Sequence, residues 1–410
     1  MDESRTESLN QPLTLPCGVT IKNRIFKSAM SEIMGDHRHC PTPALNRLYE
    51  RWANGGTGLL VTGNVMVDRR ALGEPKNVVL DSDGDLSRFS AWAECGKKNN
   101  THIWMQLNHP GRQSPSFLSP EPVAPSAIPY TSELKHAFNK PRALSQDDIL
   151  GIIEKFARSA SLAKQAGFTG VQIHGAHGYL VSQFLSPLFN QRDDEWGGSL
   201  ENRMRFLLEI IKAVRQAVGP DFPVGVKLNS SDFSNKGFTE DDALEVVKVI
   251  SSLGVDLIEI SGGTYERPTM MGGGKKTGEA RPFFIDFAEK AVAGVSTPIV
   301  LTGGFRTASS MNDAMNHAGI AMVGIARPLV VDPEMSRKIL SGQPYTSPVK
   351  PLSTGIALID RVTMLEITWY ENQMRYVGEG RDPRPDENVY ITVFRIFKHM
   401  GSMAFKRRRV

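Results

Sequence analysis

Three cysteines in 410 residues, Cys17, Cys40 and Cys95, are too few and too scattered to be a disulfide framework. No Cys-x-x-Cys pair exists, so the ligand spacing of a structural zinc or an iron–sulfur cluster is missing. No apolar run approaches the roughly 20 residues that a membrane span needs. The first residues, MDESRTESLNQPLTL, lack the apolar core of a secretory signal. The net charge is only +4, with no basic stripe, which argues against a nucleic-acid partner. What remains is a chain that is 40% hydrophobic, enough for one large domain or two ordinary ones. It is expected in the cytoplasm.

Eight short apolar runs punctuate the sequence. They occupy residues 24–30 (RIFKSAM), 58–65 (GLLVTGNV), 102–108 (HIWMQLN), 170–174 (GVQIH), 224–229 (VGVKLN), 256–261 (DLIEIS), 298–303 (PIVLTG) and 320–326 (IAMVGIA). Runs that are apolar on both faces read as buried parallel strands. Amphipathic stretches lie between them; residues 147–166, for example, place Ile149, Ile152, Ile153, Phe156 and Ala160 at helical spacing. In the stretch 239–253, Thr239 with Asp242 three residues on gives an N-cap. Eight strand-then-helix units predict a (β/α)8 barrel, an α/β fold, over residues 1–345. An N-terminal β-hairpin caps it and a C-terminal helical extension fills residues 346–410. The alternative, an open doubly wound sheet, lacks a G-x-G-x-x-G after its first strand.

Barrel active sites sit at the C-terminal ends of the strands. Those ends supply Met30, Ser31, Asn64, Gln106, His174, His177, Lys227, Gly303, Gly304, Ala326 and Arg327, a mostly polar set. The loops after the last two strands, with Gly303, Gly304 and Arg327, suit a phosphate; alternatively the glycines are plain turns and Arg327 pairs with a carboxylate. Gln106 can both donate to and accept from a ligand edge, or it anchors a loop. Lys227 either offers a cation to a ligand or forms a strand-end ion pair.

The segment VQIHGAHGYLVSQFLSPLFNQRDDEWGGSLENR carries His174, His177 and Tyr179 within six residues. Two imidazoles can donate to one carbonyl oxygen and so polarise an enone. A nearby phenol can then protonate the α-carbon. A zinc site with Asp193, Asp194 and Glu195 competes with this reading, but the carboxylates follow a long loop and the helical His-Glu-x-x-His pattern is absent; no metal is expected.

These residues together resemble the Old Yellow Enzyme family of FMN-dependent oxidoreductases, over about residues 13–340. The resemblance is carried by Lys22-Asn23-Arg24-Ile25, Ser28-Ala29-Met30, Gln106 with Gly111-Arg112, His174-x-x-His177-Gly178-Tyr179, Phe184-Leu185-Ser186-Pro187, the run from Asp194 to Arg203, and Gly324-x-x-Arg327. It implies a barrel with noncovalent FMN, reduced by NADPH or NADH, that in turn reduces an activated C=C bond of an enone-type small molecule. It implies that Ser28, Ala29, Met30, Ser31 and Asn64 line the flavin, that Gln106 and Lys227 contact its ring system, and that Gly304, Ala326 and Arg327 hold its phosphate. His174 and His177 would bind the substrate's electron-withdrawing group, with Tyr179 the proton donor. A flavin-dependent isomerase or desaturase, or a barrel kept only as a scaffold, are the competing functions.

The departures bear on substrate and poise. Ser31 stands where relatives carry Thr or Cys, Lys227 where Arg is common, and Ile33 where one branch has a substrate-contacting Tyr. Loops 114–140 and 262–281 shape the pocket, and the second, Gly-rich, is a candidate lid. In the extension, residues 354–376 read as one helix and 388–400 as aromatic and β-branched, before the basic end Lys406-Arg407-Arg408-Arg409. The expectation is that this extension packs on the barrel or across a homodimer interface.

Overall fold

The computed structural model describes residues 7–131, 133–264 and 282–396. Eight parallel strands form its centre: Ile25–Lys27 (β1), Leu59–Val61 (β2), His102–Asn108 (β3), Gly170–Gly175 (β4), Val224–Asn229 (β5), Leu257–Ser261 (β6), Ile299–Thr302 (β7) and Met322–Ile325 (β8). Each pairs with its neighbours in sequence, and β8 returns to β1 through Val323 opposite Ile25, closing the barrel. A further short strand, Val65–Met66, pairs alongside the end of β3.

Helices cover the outside. They are Pro43–Asn54 (α1), Leu86–Gly96 (α2), Gln146–Gln165 (α3), Leu200–Val218 (α4), Glu240–Ser252 (α5), Ile285–Gly294 (α6), Ala308–Ala318 (α7) and Met335–Leu340 (α8). Local sequence sets their starts. Ser145 and Asp148 make a reciprocal capping box on α3, and the Thr239 side chain accepts from the Asp242 N–H on α5. None of the helices is long and apolar enough to cross a membrane, among the described residues.

Strand alternation sorts the side chains into two cores. Outward residues such as Ile103, Met105, Val171, Ile173, Val226 and Ile258 join the helices in one large cluster. Inward residues Phe26, Leu59, Val61, Trp104, Leu257, Val300 and Met322 fill the lower barrel. Trp104 occupies so much of that space that a Cβ on Gly170 would sit 2.4 Å from its indole nitrogen, and one on Gly225 2.8 Å from its ring. The N-terminal hairpin, Leu13–Thr14 with Thr20–Ile21, plugs the bottom through Leu13, Leu15 and Ile21.

One layer higher the inward positions turn polar. Gln106 Nε2 donates to Gln172 (2.7 Å), and Gln172 Nε2 to Glu259 (2.9 Å). Thr302 Oγ1 donates to Glu259 (2.8 Å) and lies 2.8 Å from Ser28 Oγ. A hydroxyl has one proton, so Ser28 is the donor to Thr302. Lys227 Nζ completes the layer 3.0 Å from Glu259. This belt is the floor of the barrel mouth.

The extension differs from the single helix expected over 354–376. It forms Ala357–Val362, breaks at Met364, whose φ of 44° is left-handed, and resumes as Leu365–Gly378 (α9). Residues 389–396 are helical. The basic end and most of the candidate lid, 265–281, lie outside the described residues.

Candidate active site

A pocket enclosing about 250 Å³ opens above the polar floor. It is lined by twelve of the residues picked out from the sequence: Ser28, Ala29, Met30, Ser31, Asn64, Gln106, His174, His177, Tyr179, Lys227, Ala326 and Arg327. These come from widely separated parts of the chain, brought together because each ends or follows a barrel strand. Three expected residues stand elsewhere. Gly303 and Gly304 lie in the turn after β7, at φ 110° and 88° against Pro282 and Phe283. Ile33 lines a smaller adjoining cavity with Met34 and Trp92. Its φ of 49° is rare for a β-branched residue.

The histidine wall is tightly positioned. The Ala176 N–H donates to His174 Nδ1 (3.2 Å), so the neutral ring carries its proton on Nε2. His177 has φ 61° and Gly178 φ 77°, a left-handed pair that turns the chain before Tyr179. That turn is held by three amides: Asn229 accepts from the His177 N–H (3.1 Å), Gln113 donates to the His177 carbonyl (3.2 Å), and Gln183 donates to the Gly178 carbonyl (2.8 Å). His177 Nε2 meets Ser261 Oγ at 2.8 Å. The His174 ring lies edge-on to His177 (5.1 Å) and to Tyr179 (4.8 Å). Burial, reinforced by the Lys227 charge, drives both imidazoles well below their usual range, so both are neutral at physiological pH. Arg203 braces the segment that follows, donating to the carbonyls of Gly198 (3.2 Å) and Leu185.

Arg327 begins a short helix after β8, and its guanidinium is held by Glu366 of α9. The carboxylate partner was one of the two readings of this residue. Several lining residues have no site role in the sequence pattern, although Ile367 and Tyr370 show helical spacing: Glu74, Ser261, Thr302, Glu366, Ile367, Tyr370 and Met374. Glu259 was also passed over, although a glutamate within LIEIS is a detectable break in an apolar strand.

The profile of the NADH:flavin oxidoreductase / NADH oxidase family matches residues 8–345. The chain belongs to that family. It is 41% identical over 304 residues to the NADH-dependent flavin oxidoreductase iliE of Hypocrea jecorina, spanning 68% of this chain and 75% of that one. It is 38% identical to iccE of Talaromyces variabilis, named likewise, over 68% and 73% of the two chains. An old yellow enzyme homologue from Zymomonas mobilis superposes with a TM-score of 0.70 at 25% identity, over 83% of this chain and 95% of that one. Morphinone reductase in complex with tetrahydroNAD gives 0.70 and 25%, over 83% and 93%. The protein is therefore an oxidoreductase of the Old Yellow Enzyme family, with FMN as cofactor and NADH or NADPH as reductant.

The pocket's donor set fits such a group. The floor offers a cation, an amide and hydroxyls from Lys227, Gln106, Ser28 and Thr302. At the β8 end, Arg327 lines the pocket with a guanidinium, a partner an anion takes.

Proposed function

We propose that the protein is an ene-reductase that uses NAD(P)H, by way of FMN, to reduce the activated C=C bond of an α,β-unsaturated carbonyl compound. The observation that carries this reading is the wall of His174, His177 and Tyr179: two neutral imidazoles and a phenol on one side of one pocket. FMN, when bound, supplies the hydride chemistry. His174, donating from Nε2, and His177, anchored to Ser261, hold the substrate's carbonyl oxygen and draw electron density from the alkene. Tyr179 holds the proton that the α-carbon takes up. Lys227 and Gln106 hold the ring system on the floor, with Ser28, Ala29, Met30, Ser31 and Asn64 around it. Gly303, Gly304, Ala326 and Arg327 serve the phosphate, which would take over the Arg327 guanidinium from Glu366.

Tyr179→Phe tests the reading. NADH should still bleach the flavin, while reoxidation by cyclohexenone slows by about 10²- to 10⁴-fold, the usual range for losing a general acid. Unchanged enone turnover would refute the role.

A second reading, isomerisation of a dedicated substrate, is favoured by one observation. Glu371, beside the pocket through Ser31, is pushed up to about 8, chiefly by burial. A carboxyl that exchanges protons near neutrality, with Tyr179 in the same pocket, suits a proton-shifting reaction. Product formed without stoichiometric NADH consumption would select it.

A further inference from the structure

Helix α9 presents one stripe of side chains to the barrel mouth. Glu366, Ile367, Tyr370 and Met374 all line the pocket, at spacings of three and four residues that put them on one helical face. Two polar links fix that face in register: Glu366 with Arg327 beyond β8, and Glu371 with Ser31 beyond β1. The far end is pinned as well. Arg47 Nε of α1 donates to the Gly378 carbonyl (2.7 Å), and a Cβ on Gly378 would lie 2.8 Å from the Ala44 carbonyl oxygen. Behind the stripe, Trp369 lies edge-on to Tyr370 (5.0 Å) and donates to the Glu387 carbonyl (3.3 Å). The roof is thus a fixed surface, and its shape belongs to the pocket.

The other side chains of the stripe, Ile367, Tyr370 and Met374, are apolar or aromatic. They share the pocket with His174, His177 and Tyr179, the residues assigned above to the substrate's reacting end. They also lie beyond residue 345, where the family match stops, so family membership does not dictate them.

We infer that Ile367, Tyr370 and Met374 are specificity-determining residues: the non-reacting body of the substrate lies against them, and they favour a flat, apolar-bodied conjugated carbonyl over a branched one. This rests on the ene-reductase reading. A flat body suits a slot whose floor the cofactor's ring system would take and whose roof is the face of a fixed helix. Methionine adapts to irregular apolar outlines, whereas the tyrosine ring is rigid and excludes branches.

The test uses the full-length holoenzyme and two enones, 2-cyclohexen-1-one and its 4,4-dimethyl derivative, whose kcat/KM ratio cancels the shared flavin-reduction step. Tyr370→Ala should shift that ratio toward the branched enone by about 10-fold or more, the scale on which apolar pockets discriminate small groups, and the change should fall mainly in KM. Tyr370→Phe should keep the wild-type ratio. FMN content and Tm report whether the variant is intact. An unchanged ratio in Tyr370→Ala, or loss of both activities together with FMN, would overturn the inference. If wild type reduces neither enone although its flavin is reduced, the ene-reductase reading falls instead. Spectral titration of the oxidised holoenzyme with phenol and 4-tert-butylphenol then decides this one: a size preference shifted by Tyr370→Ala sustains it, and an unshifted preference overturns it.

Discussion

The Ser31 hydroxyl donates to the Glu371 carboxyl across 3.1 Å, joining the chain just past β1 to helix α9. Ser31 also bonds Glu74. One hydroxyl proton cannot serve two carboxylates, so the bridge is complete only when one of them carries a proton itself.

That relationship has a pH signature. Burial, then the neighbouring Glu74 charge, pushes Glu371 up to about 8, and burial raises Glu74 too; Arg375 on the same helix opposes the shift on Glu371, and Glu32 faces Glu74 from the β1 side. The unfolded glutamate titrates near 4.3. Between about 4.3 and 8 the folded state therefore holds a proton that the unfolded state has lost, and stability falls as pH rises through that window. Glu371→Gln should remove much of this fall: close to wild type in Tm at pH 5, and more stable at pH 8. Parallel Tm–pH curves for the two proteins would contradict it.

His174 carries its proton on Nε2 and stays neutral. Binding of 4-chlorophenol to the oxidised holoenzyme should thus be nearly flat between pH 5.5 and 7.5, with no step near the usual histidine value. His174→Ala should weaken it by about 10-fold, the worth of one good hydrogen bond to a ligand. Spectral titration across pH reads both, and a wild-type step near pH 6.5 would show a protonated imidazole instead.

Lys227 and Glu259 form a buried pair, 3.0 Å apart. Lys227→Met leaves Glu259 with only neutral donors, Gln172 and Thr302, and should cost about 3–5 kcal/mol along with FMN retention. Adding Glu259→Gln should restore much of the stability without restoring FMN. Urea melts of the single and double variants check the first point, and flavin absorbance the second. A double variant no more stable than the single would mean the pair is not coupled.

Met364 is mostly exposed and left-handed, at φ 44°, where the extension breaks between two helices. Glycine adopts that conformation freely. Met364→Gly should stabilise by about 0.5–1 kcal/mol, seen as a small rise in Tm. A fall in Tm would mean that the methionine packs more than its exposure suggests.

The barrel was legible because its strands are apolar runs of strand length, and β3 and β5 begin and end where the pattern says. Lys227 and Gln106 stood out as polar residues in apolar runs. The first run was read too long: the ladder stops at Lys27 because Ser28–Ser31 leave it to line the pocket. The roof was not legible. The spacing of Ile367 and Tyr370 shows that one helical face is covered, but periodicity cannot say what covers it. Nor could it pair Arg327 with Glu366, a contact 39 residues apart made only by the folded chain.

Helix α9 follows all eight strands in the chain. A ribosome therefore releases every barrel strand before the residues that close the mouth, and domains fold as they emerge. A barrel that forms before α9 would stand open at its top, and flavin entry would not wait for a lid to swing. The folding of α9 then shuts the door behind it.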